Sequence, residues 1–143
     1  MLADILEGWG WTGAAPAAVI AVNKFGNLIF RAADGAYWRI CPEELTCEAI
    51  AESEEAFARL SQDADFLEDW EMSRLVTAAE TAYGTQADGR CFCLKIPGAL
   101  GGAYSLENIG TIPIAELLRF SGSVAEQIKD LPEGAQVSFK LTE

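Results

Sequence analysis

The apolar residues of this chain change period at Ser53, and that change limits its possible folds more than any other feature. Before it, residues 17–22, 27–31 and 36–40 are short runs rich in β-branched and aromatic residues, parted by turn chemistry at residues 23–26 and at Asp34 and Gly35. Such runs read as strands. The Asp-Gly pair predicts a tight hairpin with positive φ at both central residues, so the three runs form an antiparallel meander. Residues 46–50 are a candidate edge strand. From Ser53 onward Ala56, Phe57 and Leu60, then Leu67, Trp70, Leu75, Ala78 and Ala82, recur at three- and four-residue spacing, which predicts two amphipathic helices.

The same patterning extends to both ends. Leu2, Ile5, Leu6 and Trp9 mark one small helix over residues 2–11. Asp88 and Gly89 open a strand at residues 90–96, with Phe92, Leu94 and Ile96 on one strongly apolar face. Residues 97–102, with one proline and three glycines, form a loop. Residues 109–112 are a candidate strand. Ile114, Leu117, Leu118, Ser121, Val124, Ala125, Ile128 and Leu131 then mark a helix face, with Gly122 a possible break. Residues 132–134 end that helix, and 135–141 alternate as a last half-buried strand. The expected fold is α+β: an antiparallel sheet, with a meander in the N-terminal half plus C-terminal strands, and helices packed mainly on one face. A chain of 143 residues with no internal repeat or linker is expected to form a single domain over residues 1–143.

Half of the residues are hydrophobic, which argues for a packed core despite a net charge of -12. Asp4 and Glu7 precede any basic residue, the reverse of a signal peptide, and the longest uncharged run, 8–23, is too short and too rich in glycine to span a bilayer. A cytoplasmic protein with no membrane contact is therefore expected. Cys41, Cys47, Cys91 and Cys93 are then expected to be reduced, and their spacings match no common zinc pattern. No metal and no cofactor is expected.

The chain contains no histidine, which removes Ser-His and Cys-His nucleophilic arrangements and the commonest general base. The loop at 98–102 follows a strand, as a phosphate loop would, yet lacks G-x-G-x-x-G and a Lys-Ser/Thr pair. A catalytic role is not expected, and a sequence pI of about 4.3 argues against direct nucleic-acid binding.

Residues 43–80 hold twelve carboxylates against Arg59 and Arg74, which accounts for ten of the twelve net negative charges. A solvated helical face would explain such a block. Its concentration in a quarter of the chain also fits a docking surface for a basic partner, since one-signed patches accelerate association with opposite charge. The candidate partner-binding residues are Glu43, Glu44, Glu52, Glu54, Glu55, Asp63, Asp65, Glu68, Asp69 and Glu71. Trp9, Trp11, Trp38 and Trp70 are either core or interface anchors, with Trp38 and Trp70 on apolar faces that favour the core.

Several stretches carry a family likeness from about Gly8 to the end. They are Gly8-Trp9-Gly10-Trp11, Phe25-Gly26-Asn27, the run 34–44 around Tyr37-Trp38-Arg39, the run 89–97 around Cys91-Phe92-Cys93, Leu100-Gly101-Gly102-Ala103-Tyr104, and Gln127-Ile128-Lys129-Asp130-Leu131-Pro132. In these the chain resembles the type VI secretion DNase-immunity family, with a GAD-like segment preceding a C-terminal domain formerly of unknown function. The resemblance implies a small cytoplasmic immunity protein that binds a cognate secreted toxin, typically a DNase, and occludes its active surface. It implies no catalytic residues. The alternative is a general acidic interaction or scaffold domain with no toxin partner.

Overall fold

The structure, a computed structural model, describes residues 1–131. The expected strand at 135–141 lies outside those residues, whereas the last helix, expected to run to a stop at 132–134, already ends at Ile128. Helix α1 (Leu2–Trp9) runs into a single 3-10 turn, and strands β1 (Pro16–Val22), β2 (Leu28–Ala32), β3 (Tyr37–Cys41) and β4 (Thr46–Ala51) follow. These four form an antiparallel sheet in the order β1-β2-β3-β4, the meander that the alternating runs predict, with β4 at one edge. The α+β class holds.

Register decides which residues reach the core. Leu28 pairs with Ile40 and Phe30 with Trp38, so all four share one face. There they meet Ile5 and Trp9 of α1 and Leu118 and Ala125 of α5 (Ile114–Ile128). Trp9 is 1% exposed and belongs to this core. Trp38, half-buried, stacks on Phe30 at 6.2 Å between centroids. The reverse face meets the acidic helices instead: Tyr37 stacks on Phe57 at 4.4 Å, and Arg39 lies 5.2 Å above the Trp70 ring.

Those helices number three, not two. α2 (Glu54–Leu60) is capped by Ser53, and α3 (Ala64–Glu71) by Asp63, whose side chain accepts a hydrogen bond from the Phe66 amide. Met72 sits in the left-handed region at φ +48°, which ends α3 and lets α4 (Ser73–Tyr83) start in a new direction. An Asp or Ser side chain that satisfies the first free amides makes each short restart tolerable.

Beyond α4, strands β5 (Arg90–Leu94) and β6 (Ile109–Pro113) form a second, two-stranded antiparallel sheet. Phe92, Leu94 and Ile109 pack with Phe25 and with Ala79, Leu75 and Val76 of α4 in a second core. β5 stops two residues before the expected end at 96. Its opposite face is also covered, because Cys91 is 1% exposed.

Two turn expectations are corrected. In the β2–β3 hairpin only Gly35 has positive φ, at +91°. Asp34 instead accepts a hydrogen bond from the Ala36 amide through Oδ1, and the Gly35 amide bonds Ala32 O, so the loop is longer than a two-residue turn. Gly122 is no break. α5 runs straight through it, because a Cβ there would overlap the backbone of Gly8, which crosses at that point. The Trp11 indole closes the crossing by donating to both Gly8 O (2.9 Å) and Gly122 O (3.1 Å). Among the described residues no helix is long and apolar enough to cross a membrane.

Candidate functional site

The acidic block divides into one buried carboxylate and an exposed set. Glu43 lies in the 3-10 turn between β3 and β4 and is only 7% exposed. Both of its oxygens accept hydrogen bonds from Asn27 Nδ2, at 3.0 and 2.9 Å, and the Cys41 thiol lies 3.1 Å away. Asn27, fully buried, turns its Oδ1 to Arg39 Nε and Nη2 at 3.1 and 2.8 Å. Arg39 Nη1 continues the chain to Asp69 at 2.6 Å. A buried carboxylate is tolerated when its lone pairs are filled and a cation stands nearby, and this relay supplies both. Glu43 thus braces β2, β3 and α3 and is not presented to a partner.

The other nine candidates are exposed. Glu54 and Glu55 occupy the first turn of α2, where negative charge suits the helix dipole, and Glu52 lies just before it. Asp63 caps α3, and Asp65, Glu68, Asp69 and Glu71 lie along it. Among these α2–α3 carboxylates the cations are Arg59 and the Asp69-bound Arg39. Glu80, the last of the block, pairs with Lys24 at 3.2 Å. Glu44 is held above the ordinary carboxylate range, first by partial burial and then by the negative charges of Glu43 and Asp69.

The structure brings Glu44 and Asp69 together with Glu48 around a cleft of about 310 Å³ over the β3–β4 face. Glu48 is counted in the acidic block but is not among the candidate contacts, although the alternation of β4 places Thr46, Glu48 and Ile50 on one face. Met72 and Tyr104 also line this cleft. Neither belongs to the charged pattern, and Tyr104 stands out in the sequence only as the end of a glycine-rich stretch.

All four cysteines are free. Burial pushes the Cys47 thiol up to about 11 and Cys91 to about 12, and raises Cys93 as well. Cys41 is raised further still, by burial and then by the Glu43 charge. Such thiols carry almost no thiolate at neutral pH. In the loop at 98–102 the Leu100 and Gly102 amides donate to Pro97 O at 2.9 and 3.1 Å, so they face inward rather than towards a phosphate. The void between Pro97, Phe25 and Leu117 is about 10 Å³, too small for a ligand.

The fold and this surface define an acidic α+β domain with its carboxylates displayed on short helices beside an open cleft. Residues 51–125 match the family model described as T6SS immunity protein Tdi1, C-terminal. With just over half of its length matched, the chain belongs to this family of type VI secretion immunity proteins. The match runs from the last residue of β4 through the acidic helices and the small sheet into α5. A search of curated proteins finds no match.

Proposed function

We propose that this chain is a cytoplasmic immunity protein, a binder rather than a catalyst, that neutralises a type VI secretion nuclease effector by occluding its active surface. Family membership supports the immunity role. The observation that supports a basic, nucleic-acid-cleaving target is the exposed carboxylate set on α2 and α3, Glu52 to Glu71. A nuclease must present cationic groups to hold a phosphate backbone. An acidic face competes for those groups, and its field steers the encounter. The whole chain acts in this reading as one inhibitory domain.

The test is co-expression with the nuclease domain of a type VI secretion effector, followed by association kinetics on the purified pair. Reversing Glu52, Glu55, Asp65 and Glu68 to Lys leaves the Asp63 cap in place. Association at low salt should then slow by about tenfold and lose most of its salt dependence. An unchanged rate and salt slope would remove the acidic face from the mechanism, and failure of the wild-type chain to protect growth would remove the immunity reading.

A further inference from the structure

The loop between β5 and β6 is tailored to hold one aromatic ring. At Gly98 a Cβ would come within 2.7 Å of the Tyr104 ring, so a larger residue there would displace the ring from the loop. Gly101 takes φ +91°, and a Cβ on Gly102 would overlap the Ile96 carbonyl. Asn108, 8% exposed, clamps the far side: Nδ2 donates to Ile96 O and Ala103 O at 2.9 and 2.8 Å, and Oδ1 accepts from the Ile96 amide at 3.0 Å. Phosphate binding does not explain this construction. Its product is Tyr104, packed against Gly98 while 45% exposed.

Tyr104 stands where two clefts meet. One is the 310 Å³ cleft over β3–β4, and the other, about 760 Å³ and more open, lies along the start of α4. They share Asp69, Met72 and Tyr104, so together they form one groove. Its walls combine apolar contact (Ile50, Met72 and Leu75) with the carboxylates of Glu48, Glu68 and Asp69. Of its two cations, Arg39 is already engaged by Asn27 and Asp69. A second copy of this acidic chain would be repelled here, whereas a cationic segment complements both the charge and the apolar floor.

We propose that this groove receives an extended, basic segment of the effector, with Tyr104 as the anchor on which an arginine or lysine side chain stacks. The proposal rests on the immunity reading and deepens it by naming a contact residue outside the acidic helices. A ring packed against the loop before binding loses little entropy on docking, and aromatic residues of this kind carry a large share of interface energy. The face of the ring attracts the cation, and the carboxylates around it take the head group.

The experiment uses the full chain and the catalytically inactivated nuclease domain of the type VI secretion effector that the chain neutralises in the growth test. A photo-crosslinking benzoylphenylalanine replaces Tyr104 in one variant and Leu6, on the far helix α1, in another. A crosslink to the toxin from position 104 and none from position 6 is expected. Tyr104→Ala should weaken binding by roughly tenfold without lowering the melting temperature, and Tyr104→Phe should bind like wild type, since the ring face and not the hydroxyl makes the contact. A complex that forms but crosslinks only from position 6, or a crosslink from 104 to a second copy of the chain, overturns the groove assignment and leaves immunity standing. If wild type neither binds the toxin nor protects growth, both fall.

Discussion

Asn27 donates to both carboxylate oxygens of Glu43 through a single nitrogen, at 3.0 and 2.9 Å, while its Oδ1 holds Arg39. The arrangement lets a negative charge sit inside the protein without touching its cation. One amide serves as donor to the acid and acceptor from the guanidinium, so loss of that amide leaves Glu43 with only the weak Cys41 thiol donor and Arg39 with only Asp69.

Asn27→Ala is therefore expected to destabilise the fold by about 2 kcal/mol, because the buried carboxylate loses both amide bonds and keeps only a weak thiol donor. For a chain of this size that is a fall of roughly 6–10 °C in melting temperature. Asp69→Ala removes the outer end of the same relay. Its side chain is 71% exposed, and an ion pair so wet contributes at most about 1 kcal/mol. Thermal unfolding of the two variants side by side checks the order, and equal losses would contradict the relay.

The Gly8–Gly122 crossing makes a second prediction, because it inverts the usual rule for glycine in a helix. Alanine in mid-helix normally stabilises by about 1 kcal/mol. At position 122 the added methyl meets the Gly8 backbone, so α1 must move off α5 and away from the Trp11 hydrogen bonds. Overpacking of this kind costs about 1–3 kcal/mol beyond the propensity gain. Gly122→Ala should melt several degrees lower, with Ser123→Ala, one residue on and exposed, within about 0.5 kcal/mol of wild type. Denaturant titration of both variants measures the difference.

These two cases mark where the sequence is readable and where it is not. The meander is legible because alternation and turn residues are local signals, and Ser53 and Asp63 announce their helices by residue type. Met72 announces nothing, since no property of methionine implies a left-handed backbone, so the break between α3 and α4 is invisible. Gly122 misleads for a related reason: the residue that makes glycine necessary lies more than a hundred positions away. The same limit governs the acidic surface. Counting charge finds the block but treats Glu43 like Glu54, although burial of Glu43 depends on Asn27 in the turn before β2. Tyr104 carries no charge, and only the fold sets it beside Glu48 and Asp69.

Glu44 yields a pH-dependent prediction. Its folded-state carboxyl is raised by partial burial and by the charges of Glu43 and Asp69, so the folded chain holds this proton more tightly than the unfolded one. A raised carboxyl favours the fold below the ordinary carboxylate range and opposes it once pH exceeds the folded value. Glu44→Gln should accordingly stabilise at pH 7, by at most about 0.5 kcal/mol given its exposure. The gain should vanish near pH 4. Melting curves across pH 4–8 test the sign, and a constant offset between variant and wild type would refute it.

The buried thiols give the last prediction. With Cys47 near 11 and Cys91 near 12, and with thiolate the only reactive form, the fraction available at pH 8 is more than a hundredfold below that of a free cysteine, whose ordinary value is about 8.5. Burial is the largest cause in each case, so the protection belongs to the folded state and should disappear with it. Iodoacetamide at pH 8 should label the native chain at least about a hundredfold more slowly than a model thiol at Cys41, Cys47 and Cys91. All four cysteines should react freely in denaturant. Mass spectrometry of timed samples assigns each site, and rapid native labelling at Cys47 or Cys91 would show that the strands bearing them open far more readily than their packing implies.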